Sequence, residues 1–214
     1  MIVNDRCVAY INSLDMGNTP FLNDLEKKAK KARVPIIKKE TQRLLKFLIS
    51  AHAPQKILEI GAAVGFSSIL MAEYSSEKTK ITTIENYDKR IPLAKENIEN
   101  SGYSSKIRLL EGNAEDILPT LEGGYDMIFI DAAKAQYPYY LKESVRLLDK
   151  GGLLVADNCL QEGDIFESKF AVERRDRTIH KRMREFLYDV SHDERFSTVI
   201  LPIGDGVTTA IKTG

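Results

Sequence analysis

From Lys56 onward the chain alternates short apolar runs with amphipathic stretches of about a dozen residues, and no other feature limits its possible folds as strongly. Such alternation is the pattern of a parallel sheet whose strands are joined by crossover helices. Strands are expected at 56–60, 80–85, 107–111, 127–130 and 153–156. The helices between them are expected at about 66–74, 89–100, 114–121 and 138–148. Gly151-Gly152 turns the chain into the fifth strand, and a long polar segment and a basic helix at roughly 170–191 follow it. Two further runs, 196–202 and 206–211, are joined through Gly204-Asp205-Gly206, which reads as an antiparallel hairpin at one edge of the sheet.

Ahead of this alternation the pattern is helical. Leu22, Leu25, Ala29 and Ala32 recur at helical spacing, and so do Leu44, Leu45, Leu48 and Ile49. Pro35, in Val34-Pro35-Ile36-Ile37, separates the two with extended chain. The expected fold is therefore α/β: a Rossmann-like sheet of seven strands, the last hairpin antiparallel, under an N-terminal helical cover. One domain over 1–214 is expected, with a helical extension at 1–50 and the sheet core at 56–214.

Composition narrows the classes of function. Hydrophobic residues make up 43% and charged residues 29%, and the formal net charge is zero, so long-range attraction to nucleic acid is not built into the whole surface. No apolar run approaches the roughly 20 residues that cross a bilayer, and Met1-Ile2-Val3-Asn4-Asp5-Arg6 has no leader-like pattern. Two distant cysteines, Cys7 and Cys159, suit a reducing cytoplasm and carry no zinc spacing.

The sharpest local motif follows the first strand: Glu59-Ile60-Gly61-Ala62-Ala63-Val64-Gly65-Phe66-Ser67. Glycines in such a loop let backbone approach a ligand. A dinucleotide loop needs G-x-G-x-x-G, yet Ala63 and Phe66 stand at its second and third glycine positions. The E-x-G-x-x-x-G form resembles the first motif of class I methyltransferases instead. Twenty positions after Gly65, Glu85 ends the second strand, where a carboxylate can accept both ribose hydroxyls. Gly112-Asn113-Ala114 ends the third strand, where adenine contacts would fall. Taken singly, these residues could equally be packing glycines and a solvated strand end.

The fourth strand ends in Asp131 and the fifth in Asp157-Asn158, at the carboxyl edge where open α/β sheets bind ligands. Two close carboxylates repel, and a hard divalent cation such as magnesium relieves that. Helix capping and turn formation are the alternative uses of Asp and Asn. Lys134 follows Asp131 by three residues, a spacing that returns its amine to the strand end. An amine that is partly desolvated beside a dication can serve as a base; a solvated surface lysine is the alternative.

Glu59-x-Gly61, Glu85, Asp131-Ala-Ala-Lys134 and Asp157-Asn158 together resemble the catechol and caffeoyl-CoA type O-methyltransferases, over roughly residue 35 to the end. The resemblance implies an S-adenosylmethionine pocket lined by Ile37, Glu59, Gly61, Gly65, Ser67, Glu85, Asn113, Ala114 and Asp131. It implies a magnesium or other divalent ion on Asp131, Asp157 and Asn158, with Lys134 and Asp131 at the reaction, and a homodimer. Ile37 stands where methionine is expected and Asn113 where aspartate is usual. Val34-Pro35-Ile36, Gln136-Tyr137 and Ile203-Gly204-Asp205-Gly206 bring the likeness nearest to the bacterial branch acting on tRNA. That branch implies an anticodon stem-loop as partner and methylation of 5-hydroxyuridine at the wobble position.

Arg174, Arg177, Lys181 and Arg184 are expected on one face of the basic helix, opposite a buried stripe of Ile179, Met183, Phe186, Leu187 and Val190. The basic face could meet RNA phosphates or simply be solvated. Tyr137, Tyr139 and Tyr140 could stack on a splayed base or pack in the core. The rival functions are methylation of a small catechol-like phenol, nicotinamide-dependent oxidoreduction, which the missing glycines disfavour, and RNA binding without catalysis. His52, His180 and His192 have no ligand spacing.

Overall fold

Strand β1 (Lys56–Ile60) reads Lys-Ile-Leu-Glu-Ile, and four of its five residues are buried. A strand without polar alternation must be covered on both faces, which places it in the middle of a parallel sheet. The computed structural model, which describes residues 3–214, shows this arrangement. Three helices come first: α1 (Asp5–Ser13), α2 (Pro20–Lys31) and α3 (Lys39–His52). After β1 come α4 (Phe66–Tyr74), β2 (Lys80–Glu85), α5 (Ile91–Asn100), β3 (Ile107–Glu111) and the short α6 (Ala114–Ile117). Then follow β4 (Tyr125–Ile130), α7 (Tyr137–Leu147), β5 (Leu148–Ala156), α8 (Arg177–His192), β6 (Phe196–Leu201) and β7 (Val207–Lys212).

The seven strands lie in the order β3-β2-β1-β4-β5-β7-β6. β1 to β5 are parallel, and β7 runs antiparallel to both β5 and β6. Alternate residues feed two separate cores. Leu58, Ile60, Ile128 and Ile130 pack with Tyr137, Met183, Phe186 and Val190 under α7 and α8. Ile57, Met127, Phe129 and Val155 pack with Leu22, Leu25, Leu45 and Ile49 under α2 to α4. The expected fold class and the helical cover are present.

Several boundaries differ from expectation for local reasons. The third crossover is broken: α6 ends at Ile117 and a 3-10 turn, Leu118–Thr120, follows, because Pro119 has no N–H for the helical ladder. A 3-10 turn, Lys134–Gln136, precedes α7. β5 starts at Leu148, which pairs with Tyr125 ahead of a register shift between Tyr125 and Met127. The basic helix starts at Arg177, with Asp176 at its N-cap, so Arg174 lies in the turn before it and does not share its face. Ile179 and Leu187, expected in the buried stripe, are only half-buried. Among the described residues no helix is long and apolar enough to cross a membrane.

Candidate active site

The chain reverses direction across the sheet between β1 and β4, the switch point where a crevice opens at the carboxyl ends of parallel strands. A cleft of about 490 Å³ occupies this position. Gly61, Glu85, Gly112, Ala114, Asp131, Lys134 and Asn158 contribute to its walls, from the tips of five strands and the loops beyond them.

Gly61 has φ +102°, and a Cβ there would run into the Asp131 carbonyl. Glycine therefore lets the tips of β1 and β4 meet beneath the cleft. Glu85 is held by three backbone N–H groups: Ala63 donates to Oε2 at 2.7 Å, and Asn86 and Tyr87 donate to Oε1 at 3.1 and 2.9 Å. Its carboxylate is fixed at the cleft wall before any ligand arrives.

Five residues expected at the cofactor lie off these walls. Glu59 is fully buried, and its Oε2 accepts the hydroxyls of Ser68 and Thr83. Burial pushes its carboxyl up to about 7, against the pull of the serine and threonine hydroxyls. Gly65 caps α4 with φ 81°, and a Cβ there would touch Ile98 on α5 at 3.4 Å. Ser67 is buried in the first turn of α4, and Ile37 is buried in the core beneath α3. Asn113 turns its side-chain oxygen to Asn86 Nδ2, 2.8 Å away, while its neighbours Gly112 and Ala114 face the cleft.

Asp131 and Asp157-Asn158 converge as expected from adjacent strand tips. Asn158 Nδ2 donates to Asp131 Oδ1 at 3.0 Å. Asp157 Oδ1 accepts from the Asn158 N–H at 2.8 Å and from Thr41 Oγ1 at 3.3 Å. Burial raises the Asp131 carboxyl, opposed by the Asn158 hydrogen bond and the charges of Lys134 and Arg90. Burial, and then repulsion from Asp131, pushes Asp157 up to about 7. Asn158 holds φ 59°, a left-handed conformation that asparagine tolerates better than most residues. The Tyr137 hydroxyl spans both strand ends, 2.8 Å from the Asp157 carbonyl and 3.3 Å from that of Ile130.

Among the described residues no group of three or more His, Cys, Asp and Glu side chains is placed to hold a metal. The two mutually repelling carboxylates and one amide form a smaller, all-oxygen donor set that fits a hard dication. The Asn158 amide now offers nitrogen to Asp131, and a half-turn would offer its oxygen instead. Lys134 stands at the cleft mouth, with Nζ 3.7 Å from Asp205 Oδ2.

Sequence reasoning missed Pro35, Asn86, Tyr87 and Arg90 on the cleft wall, and Thr41 behind Asp157. The adjacency of Asn86 and Tyr87 to Glu85 was the available signal for two of them. Tyr137 is buried in the core, Tyr140 is largely buried but contributes to the cleft wall, and Tyr139 donates its hydroxyl to the Glu115 carbonyl. On α8, Arg177 reaches the carbonyls of Val172 and Phe170 at 3.3 and 3.5 Å, and Arg184 that of Glu167 at 3.4 Å. Lys181 is exposed, and His180 is buried with Nε2 3.1 Å from the Glu167 carbonyl.

Comparison with known proteins agrees with this geometry. The family described as O-methyltransferase matches residues 12–213. A catechol O-methyltransferase of Niastella koreensis is 36% identical over 168 residues, covering 77% of this chain and 70% of its own length. A Staphylococcus aureus protein provisionally described as a caffeoyl-CoA O-methyltransferase superposes with a TM-score of 0.90 at 32% identity, over 97% of this chain and 100% of its own. The O-methyltransferase TomG of Streptomyces achromogenes, solved in complex with S-adenosylmethionine, superposes with a TM-score of 0.84 at 25% identity, over 96% of this chain and 95% of its own. The chain belongs to the O-methyltransferase family.

Proposed function

We propose that this protein transfers the methyl group of S-adenosylmethionine to one hydroxyl of a small aromatic acceptor carrying two vicinal oxygens, as catechols do. The observation that carries the reading is that Asp131 and Asn158 line the same cleft as Gly61 and Glu85, with the Asp157 carboxylate buried off the cleft wall and bonded to the Asn158 N–H. Catechol O-methyltransferase relatives and a family member holding S-adenosylmethionine support it. They favour the small acceptor over the wobble uridine expected from the finer resemblance. The split arginines of α8 and the buried Tyr137 point the same way.

In this reading Glu85 accepts the ribose hydroxyls of the cofactor and Gly61 leaves room for its backbone-side approach. Asp131, Asp157 and Asn158 would hold a divalent cation such as magnesium, which makes a chelated hydroxyl more acidic and fixes its direction. Lys134 takes the hydroxyl proton at Nζ. The acceptor oxygen forms its bond to the methyl carbon as the carbon–sulfur bond breaks, and the sulfonium leaves as a neutral thioether. The cleft supplies mainly alignment, which in favourable cases lowers a barrier by roughly 7–11 kcal/mol.

Methyl transfer to a catechol and to a 5-hydroxyuridine anticodon stem-loop, measured in parallel, tests the assignment. Turnover of the catechol with magnesium, lost in excess chelator and in Asp131→Ala and Asp157→Ala, is expected. Turnover of the RNA alone would restore the wobble-uridine reading, and full activity of either variant in chelator would end the metal assignment.

The expected homodimer belongs to the same proposal. Tyr10, Ile11, Leu14, Met16 and Phe47 are large apolar side chains exposed on or beside α1 and α3, surface that a second copy would cover. Sedimentation should report a dimer for the unaltered protein and a monomer for Leu14→Asp/Phe47→Asp; two dimers would remove this surface from consideration.

A further inference from the structure

The Gly204-Asp205-Gly206 turn does more than reverse the chain between β6 and β7. Asp205 is buried, with 5% of its surface exposed, yet it is ionisable and lies outside the set of residues assigned above to cofactor and cation. Its Oδ2 lies 3.7 Å from Lys134 Nζ, and its Oδ1 accepts the backbone N–H of Glu162. Its own carbonyl accepts the Leu160 N–H at 2.9 Å, and the Gly206 carbonyl accepts that of Cys159 at 2.9 Å. The turn is thus laced to the segment that directly follows Asp157-Asn158. Gly206, at φ +84°, presses so closely on Leu160 that a Cβ would collide with its side chain. Gln161 and Glu162 hold left-handed backbone at φ 48° and 53°, a costly conformation that persists where the surroundings impose it. One carboxylate therefore joins three otherwise separate parts: the loop after β4, the loop after β5 and the final hairpin.

We propose that Asp205 is the positioning residue for Lys134. It aims the amine at the acceptor hydroxyl and stabilises the ammonium that forms when Lys134 takes the proton. The inference rests on Lys134 being the base. The physical logic is that of a buried acid behind a general base: the anion does not itself accept the proton, but a cation that develops beside it costs less. An exposed partner would be screened by water and would hold the amine loosely. A carboxylate buried in a turn tied by three hydrogen bonds to the loop after β5 is held in place.

Asp205→Asn separates this role from simple loop capping, because the amide oxygen still accepts the Glu162 N–H while the charge is gone. The expected result is a fall in kcat of roughly 10- to 100-fold, with KM for the acceptor, affinity for S-adenosylhomocysteine and melting temperature near those of the unaltered protein. Lys134→Ala and Lys134→Ala/Asp205→Asn should then share one residual rate, since an acid that works through the lysine has nothing left to do without it. Independent, multiplicative losses in the double variant would overturn the proposal, as would unaltered kcat in Asp205→Asn with Lys134→Ala slow. Full turnover by Lys134→Ala would remove Lys134 as base, and the role of Asp205 with it. Should Asp205→Asn melt early, Asp205→Glu serves as the second variant: partial recovery of kcat supports the charge, and none overturns it.

Discussion

Glu59 shows how far a single residue can depart from the motif it belongs to. Its position in Glu59-x-Gly61 suggests a ligand contact, but its carboxyl is sealed in the core and raised to about 7 from 4.5. The native state holds this proton more tightly than the unfolded chain, so it binds more protons between those two values and stability falls as pH rises through that window. Asp157, also raised to about 7, adds a loss of the same sign. Glu59→Gln should flatten the Glu59 share of this fall, on the order of 3 kcal/mol at full extent, when denaturant unfolding is measured at pH 5 and pH 8. An unchanged pH slope would show that Glu59 does not carry a raised proton affinity. The residue types at the strand tips were legible because chemistry restricts them: Gly61, Glu85, Asp131, Lys134 and Asn158 all reach the cleft. Side-chain direction was not. Ile37 and Asn113 sit within a residue or two of cleft-lining positions, and Ser67 four residues past Ala63, but local packing turns all of them aside, and a linear motif does not record that.

Among the elements, β4 and β5 bear most on the site, and Tyr137 at the start of α7 ties their tips together. Tyr137→Phe keeps the packing of a fully buried ring but leaves the Asp157 carbonyl without this donor. An unsatisfied buried acceptor costs about 1–3 kcal/mol, which for a chain of this size lowers the melting temperature by roughly 2–12 °C. Turnover should fall as well, because the two carboxylates lose their fixed spacing; a variant that melts and reacts like the unaltered protein would deny Tyr137 that role. The central strands could be read from sequence because double-sided burial leaves unbroken apolar runs. Helix ends could not. Pro119 converts the end of one crossover into a 3-10 turn, and α8 starts seven residues later than its basic composition suggests, at Arg177. Charge clusters mark polarity, not backbone conformation, so Arg174 was placed on a helix that had not yet begun.

At the scale of the whole molecule, a formal net charge of zero sets the expected response to salt. Raising salt from about 50 to about 200 mM should leave kcat/KM for a neutral catechol within about twofold, whereas an RNA held by six or more phosphates would lose roughly a thousandfold or more in affinity. A steep decline with the small acceptor would mean that charge steers it to the cleft.

Thr41, from the first quarter of the chain, supplies a hydroxyl to Asp157, a residue 116 positions further on. On the sheet, β5 acquires its second neighbour only from β7, inserted between β5 and β6. Segments far apart in the sequence must therefore both be docked before the strand tips are held as a set: removing the Thr41 hydroxyl or unpairing β7 would loosen Asp157 even where the cofactor loop is intact.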